Sequence, residues 1–238
     1  MTEPRLWGLV AAAGRGERMG PDSPPKQYHR LAGRCVLDWS IAALRSTPGL
    51  AGLIVVRPAD DAGAWAQTGL AADPTLLSCR GGASRQVSVQ RGLEGLREAG
   101  AAEADFVLVH DAARPAVKPA CIARLIAAVA GDRDGGLLAV PLRDTLKRAD
   151  NDGRVAATPA RDGLWLAMTP QLFPLGRLHA ALEACGEMTI TDEAQAMERL
   201  GARPRLVAGD PGNIKYTYAE DAVWLEQALA GNAREAGQ

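Results

Sequence analysis

Apolar positions fall in short runs separated by stretches with helical spacing. Leu6–Ala12, Gly52–Val56, Thr75–Cys79, Phe106–Val109 and Gly136–Val140 are mainly apolar and of strand length. Ile122, Leu125, Ile126 and Val129 follow the i, i+3, i+4, i+7 pattern of one helix face, and Val89, Leu93 and Leu96 mark a second helix. A repeated strand–helix rhythm predicts right-handed βαβ units. The expected fold is α/β: a Rossmann-like, mostly parallel sheet flanked by helices, in one domain over residues 1–238. Ligands on such sheets bind at the carboxyl ends of the strands, so the loops after Ala12, Cys79, Val109 and Val140 are where chemistry is expected. Further along, Pro174–Ala184, Asp192–Leu200 and Ala219–Ala230 read as helices and Arg205–Val207 as a strand. Gly231–Gln238 is expected to fray.

One region breaks the rhythm. Arg143–Trp165 is polar, and Asn151-Asp152-Gly153 lies near its middle. Asp-Gly between Thr145-Leu146 and Val155 is a hairpin signal. The segment has too few apolar residues to join the core, which predicts a projecting β-arm at about 143–166, with a solvated loop as the other reading. A connection of this length is usually functional.

Composition narrows the class. Of 238 residues, 47% are apolar and 23% charged, an ordinary globular balance. Lys and Arg number 27 against 28 Asp and Glu, so the chain has no global electrostatic footprint for nucleic acid. The four cysteines (35, 79, 121, 185) form no CxxC pair and histidine is scarce, so neither a zinc site nor a disulfide framework is suggested; reduced, mostly buried thiols are expected. Leu6–Ala13 resembles a short signal core, but Met1–Arg5 is not clearly basic and the run leads into a charged glycine loop, so it reads as a buried strand. No stretch reaches the roughly 18 apolar residues of a membrane helix. A cytoplasmic protein is expected.

The first strand runs into Ala11-Ala12-Ala13-Gly14-Arg15-Gly16-Glu17-Arg18-Met19-Gly20. Small residues and glycines after a strand let backbone N–H groups approach phosphate oxygens. No Gly-Lys-Ser/Thr follows, so this is not a Walker A loop. The glycine spacing, GxGxxxG, is one residue too long for a dinucleotide fingerprint, and Asp38, at the right distance for a ribose ligand, sits where a helix begins. A nicotinamide enzyme is therefore disfavoured. Arg18 in the loop and Lys26 in Pro25-Lys26-Gln27 suit a phosphoryl centre, where negative charge must be stabilised. Their presence also argues against a nucleotide-binding module without turnover.

Ala12-Ala13-Gly14-x-Gly16-x-Arg18-Met19 and Pro25-Lys26-Gln27 resemble the sugar-phosphate nucleotidylyltransferases. His110-Asp111-Ala112-Ala113-Arg114-Pro115, Arg143–Arg148, Arg161–Trp165, Thr169-Pro170-Gln171, Thr191–Ala194 and Asn213-Ile214-Lys215 follow in an order similar to the 2-C-methyl-D-erythritol 4-phosphate cytidylyltransferases, over about residues 6–228. The resemblance implies transfer of a cytidylyl group from CTP to a polyol phosphate, release of pyrophosphate, and a place in the non-mevalonate isoprenoid pathway. It implies Mg²⁺ held mainly by the CTP phosphates, with no protein metal ligands. Arg18 and Lys26 would be catalytic. Ala12, Ala13, Gly14, Gly16, Gly82 and the Ser88 hydroxyl would bind the nucleotide. Asp111, Arg114, Thr145, Arg161, Thr169, Thr191 and Lys215 would bind the polyol phosphate. The arm would reach across a two-fold axis, so that Thr145 and Arg161 complete a partner's site in a homodimer. Thr191 is expected to cap a helix as well. His110 is expected to pack rather than catalyse, because the attacking phosphate is already ionised. Ala83 departs from the acidic residue common at its position, which bears on selection of the base. A ribitol 5-phosphate cytidylyltransferase is the alternative, sharing several of these motifs; the triple alanine before Gly14 and the Arg161–Trp165 motif count against it.

Overall fold

The computed structural model describes residues 3–14, 16, 19, 24–61 and 63–235. In chain order the elements are β1 (Leu6–Ala11), β2 (Arg30–Leu31), β3 (Arg34–Cys35), α1 (Val36–Arg45), β4 (Leu50–Arg57), α2 (Ala64–Gln67), β5 (Leu76–Arg80), α3 (Arg85–Glu98), β6 (Phe106–Asp111) and α4 (Pro119–Val129). They continue with β7 (Gly136–Pro141), β8 (Arg148–Ala149), β9 (Val155–Ala157), β10 (Trp165–Pro174), α5 (Leu175–Cys185), α6 (Glu193–Arg199), β11 (Arg205–Ala208) and α7 (Asp221–Glu235).

A seven-stranded sheet runs β11-β7-β10-β6-β1-β4-β5. β1 lies parallel between β4 and β6, β5 is parallel to β4, and β11 is parallel to β7. β10 is antiparallel to both of its neighbours. The expected mostly parallel α/β sheet is thus present, with one antiparallel strand that the sequence pattern did not reveal.

Helices cover both faces because successive strand residues point to opposite sides. Leu9, Ile54, Val56, Val107 and Val109 face α3, α5 and α6, where Val89, Leu93, Leu96, Leu178 and Leu182 complete one buried cluster. Val10, Leu53, Val55 and Leu108 face α1 and α4 and pack with Leu37, Ile41, Leu44, Ile122 and Leu125. The runs of the central strands are apolar because both faces are covered, whereas β5, at the sheet edge, leaves Ser78 and Arg80 exposed. α7 adds a third cluster, placing Leu225 and Leu229 against Leu31, Val36 and Tyr216. It continues through Glu235, past the expected start of fraying at Gly231, and Asn232 donates to the Ala116 carbonyl at 3.0 Å.

The hairpin in the polar segment is real but short. β8 and β9 pair antiparallel, Arg148 opposite Ala157. The turn closes through Asp150, whose carboxylate accepts from Asp152 and Arg154 backbone N–H groups at 3.0 and 2.8 Å. Its root is tied down where Leu142 donates to the Leu164 carbonyl at 2.9 Å. Among the described residues no helix is long and apolar enough to cross a membrane. The cysteines are free; Cys121 and Cys185 are buried, whereas Cys35 and Cys79 are only half-buried.

Candidate active site

A cavity of about 890 Å³ opens at the carboxyl ends of β1, β4 and β6 and the start of α3. The loops after β1, β5 and β6 line it, as the topology demands. The loop after β7 does not, contrary to expectation, because β10 separates β7 from β6 and carries that loop away into the arm. Pro58, Ala59 and Asp60, after β4, take the fourth position.

The cavity gathers Ala12, Ala13, Gly14, Gly16, Lys26, Gly82, Ser88, Asp111 and Lys215. Arg18 lies outside the described residues. Gly16 has φ +73°, and a Cβ there would sit 3.1 Å from Lys26 Cγ, so glycine both permits the turn and makes room for the lysine. Lys26 Nζ donates to the Tyr216 carbonyl at 2.7 Å. Gln27, buried, donates to the Ala12 carbonyl at 2.7 Å and pins the loop to the first strand. Among the described lining residues, Lys26, Arg85, Arg91 and Lys215 are cationic against the carboxylates of Asp60 and Asp111, a balance suited to phosphate.

On the α3 side, Ser84 is the helix N-cap, accepting from Val87 N–H at 3.2 Å. Ser88 is buried. Its hydroxyl donates to the Ser84 carbonyl at 2.7 Å and accepts from Gly82 N–H at 3.1 Å. It therefore shapes the Gly81–Ser84 turn in addition to lining the cavity.

Asp111 forms the centre of a charged row. Arg85 donates to its Oδ1 from Nη2 at 2.9 Å and from Nε at 3.2 Å, and Lys215 Nζ donates to Oδ2 at 2.6 Å. Arg85 also makes a two-pronged pair with Glu193 through Nη1 and Nη2, the latter at 3.0 Å. Glu193 is fully buried at the first turn of α6. Burial alone raises a carboxyl pKa, but the adjacent Arg85 and Lys215 outweigh it and hold Asp111 far below the usual carboxylate range. Arg85 was missed as a functional residue in the sequence, although it carries a signal: a cation in the first turn of a helix opposes the macrodipole and implies an acidic partner.

Behind Asp111 a chain of hydrogen bonds fixes the strand end. The Asp111 N–H donates to Thr169 Oγ1 at 3.0 Å. His110 Nδ1 lies 3.0 Å from the same hydroxyl, and Nε2 lies 3.1 Å from the Arg114 carbonyl. A carbonyl only accepts, so Nε2 carries the proton and Nδ1 accepts from Thr169. Burial lowers the His110 pKa to about 4. Thr169 and Arg114 thus support the cavity floor without lining it; Arg114 Nη1 donates to the Asn213 carbonyl at 2.6 Å.

Thr191 is exposed at the start of α6 and donates to Gln195 Oε1 through its N–H at 2.8 Å. The expected cap falls one residue later: Asp192 is the N-cap, accepting from Gln195 N–H at 3.0 Å, because its carboxylate reaches the third helical N–H. Thr145 and Arg161 are exposed on the arm and do not line the cavity; Arg161 Nη1 donates to the Arg143 carbonyl.

A Rossmann-like sheet that presents a glycine loop, lysines and a clamped aspartate in one cleft defines a nucleotidyltransferase. The chain belongs to the 2-C-methyl-D-erythritol 4-phosphate cytidylyltransferase family, whose sequence profile matches residues 6–230. It is 48% identical over 232 residues to the protein of that name from Pseudomonas putida strain GB-1, covering 97% of this chain and 98% of the relative. It is 45% identical over 236 residues to the one from Acidithiobacillus ferrooxidans, covering 97% and 99%. A crystal structure of 4-diphosphocytidyl-2C-methyl-D-erythritol synthase superposes with a TM-score of 0.83 at 39% identity, covering 96% of this chain and all of that one. The Francisella tularensis cytidylyltransferase gives 0.81 at 31% identity, covering 94% and 100%.

Proposed function

We propose that the protein transfers the cytidylyl group of CTP to 2-C-methyl-D-erythritol 4-phosphate, giving 4-diphosphocytidyl-2-C-methyl-D-erythritol and pyrophosphate, in isoprenoid precursor synthesis. The observation that carries this reading is the single cavity joining the Ala12–Gly16 loop and Lys26 to the Gly81–Ser84 turn on one side and to Asp111 and Lys215 on the other. The family's relatives carry the methylerythritol name, which sets this reading above ribitol 5-phosphate as acceptor.

An acceptor phosphate oxygen attacks the α-phosphorus of CTP. The new P–O bond forms as the bond to the β-phosphate bridging oxygen breaks, and pyrophosphate departs with those electrons. The attacking oxygen is ionised at neutral pH, so no strong base is required. Lys26 and Arg18 stabilise charge accumulating on the transferred phosphoryl group and leaving pyrophosphate. The Gly81–Ser84 turn receives the base, and fixed donors and acceptors there reject a wrong base by leaving polar groups unpaired. Asp111 and Lys215, with Thr191, receive the polyol phosphate; Thr169 and Arg114 hold the floor.

Mg²⁺ belongs to this reading. Both Asp111 oxygens already accept from cations, which leaves the ion's ligands mainly to the substrate. The ion would be held mainly by triphosphate oxygens and would supply neutralisation of phosphate charge there. A homodimer places the arm of one chain over its partner's cavity. The exposed Val155, Leu164, Trp165 and Leu166 on and beside the arm support that contact. A cytoplasmic location suits a consumer of CTP.

Pyrophosphate release, followed across four NTPs, with methylerythritol and ribitol phosphates as acceptors and with or without chelator, tests this reading. CTP with methylerythritol phosphate should be best, and excess chelator should abolish turnover. A preference for ATP, or full activity in chelator, would overturn it.

A further inference from the structure

Resting on that reading, we infer that Arg85 and the buried Glu193 form a positioning device for the acceptor: Glu193 anchors Arg85, and Arg85 holds the Asp111 carboxylate in the orientation that meets the polyol.

The geometry assigns each atom a task. Glu193 is 0% exposed and has Arg85 as its charge partner, an arrangement retained only if the guanidinium is fixed. Arg85 sits where three elements meet: the start of α3, the end of β6 and the first turn of α6. Its planar fork grips Glu193 with two nitrogens and reaches Asp111 with Nε and Nη2, a division of donors that a lysine ammonium cannot reproduce. Asp111 Oδ1 is thereby bound to the protein frame. Oδ2 is held by Lys215, whose side chain is 44% exposed and so able to turn toward an incoming phosphate. When it does, Oδ2 is released toward the acceptor's hydroxyls while Oδ1 stays fixed. The charged groups facing Asp111 are Arg85 from α3 and Lys215 from the segment after β11; Arg114 follows β6, neutral His110 precedes Asp111 in that strand, and Glu193 from α6 acts through Arg85.

Although Arg85 lines the cavity, its Nε, Nη1 and Nη2 are all turned to Asp111 and Glu193, so its loss should separate acceptor from nucleotide. Arg85→Met should raise the acceptor KM by roughly tenfold to a hundredfold, the usual penalty for losing a hydrogen-bonded charge partner, and leave the CTP KM within about twofold. Without the guanidinium, Asp111 moves back toward the ordinary carboxylate range, so acceptor kcat/KM should gain an acid limb that the native enzyme lacks at the same pH. Arg85→Lys should restore part of the affinity. Arg85→Met leaves Glu193 buried and unpaired, so the double variant Arg85→Met/Glu193→Leu, which removes both charges, keeps the test alive if the single variant fails to fold. Unchanged acceptor KM and pH profile in either folded variant, or parallel losses for both substrates, would overturn the inference while leaving the proposed reaction intact. A native enzyme that releases no pyrophosphate from CTP with methylerythritol phosphate would overturn both.

Discussion

At the scale of single residues, the site depends on groups whose charge is set by their surroundings. His110 is the clearest case. It is fully buried, its Nε2–H is taken by the Arg114 carbonyl, and its Nδ1 accepts from Thr169. Protonation would put a second donor against a hydroxyl whose own proton then has no acceptor. The unfolded chain takes up this proton near pH ~6.5, whereas burial delays it in the folded state to about pH 4. Between those values the unfolded state binds more protons, so stability falls as pH drops from about 6.5 to 4, by ~3 kcal/mol at most as an order of magnitude. Asp111 acts in a different window: its depressed pKa gives stability that is present above the ordinary carboxylate value of ~3.9 and lost only below it. Urea unfolding from pH 4 to 7.5 should show this slope in the native protein and a much flatter one in His110→Gln; equal slopes would remove His110 as the cause. Lys26 bears on the proposed reaction. It lines the cavity at the glycine loop with its ammonium on the Tyr216 carbonyl, and under the proposed transfer its contact would strengthen as charge moves onto the leaving group. Lys26→Ala should lower kcat by about 10²–10³-fold with a much smaller change in CTP binding. A variant with near-native kcat would take Lys26 out of the chemistry.

At the scale of elements, the site is a matter of how closely a strand loop and a helix start approach. Gly81 shows the tolerance. A Cβ there would lie 2.3 Å from Ala13 Cβ and 2.8 Å from Ser88 Oγ, wedging the phosphate loop away from α3. Gly81→Ala should cost about 1–3 kcal/mol of stability through overpacking. It should also weaken CTP use by up to about 10²-fold, because a misplacement of ~1 Å is enough to do so. Unfolding midpoints and CTP kinetics measured together check it; native-like values for both would show that the loops have slack. The same elements explain what could be read from the chain. β1, β4, β6 and β7 were legible because burial on both faces makes each a short apolar run, and β5 because Leu76, Leu77 and Cys79 keep this edge strand mainly apolar. The hairpin was legible from Asp152-Gly153. β10 was not, because Pro170 and Pro174 argue against a central strand. The structure accommodates Pro170 at the register shift between Ala167 and Gln171, where pairing with β7 is interrupted. The lining residues from Ala12 to Lys26 were legible because they are local in sequence. The Arg85–Asp111–Glu193 row was not, because its members are 26 and 108 positions apart and meet only when α3 and α6 flank the end of β6.

At the scale of the whole molecule, one chain presents most of a site and an arm that does not serve it. Lys26 lines the cavity, while Thr145 and Arg161 stand exposed on the arm outside it. If the arm serves a neighbouring chain, Arg161→Ala should raise the apparent KM for the polyol phosphate and leave CTP binding nearly intact. It follows that two damaged chains can repair each other. In a mixed dimer of Lys26→Ala and Arg161→Ala chains, one site receives both defects, whereas the other has an intact Lys26 and an intact borrowed arm. Random exchange of equal amounts makes about half of the dimers mixed, each with one sound site of two, so roughly a quarter of native activity should return under two-fold symmetry. The two variants are unfolded, mixed, refolded together and assayed at an acceptor concentration where each alone is nearly inactive. Activity equal to the mean of the separate variants would mean that Arg161 acts within its own chain or that no such dimer forms. Recovery near a quarter would place Lys26 and the arm's Arg161 on different chains of one working site.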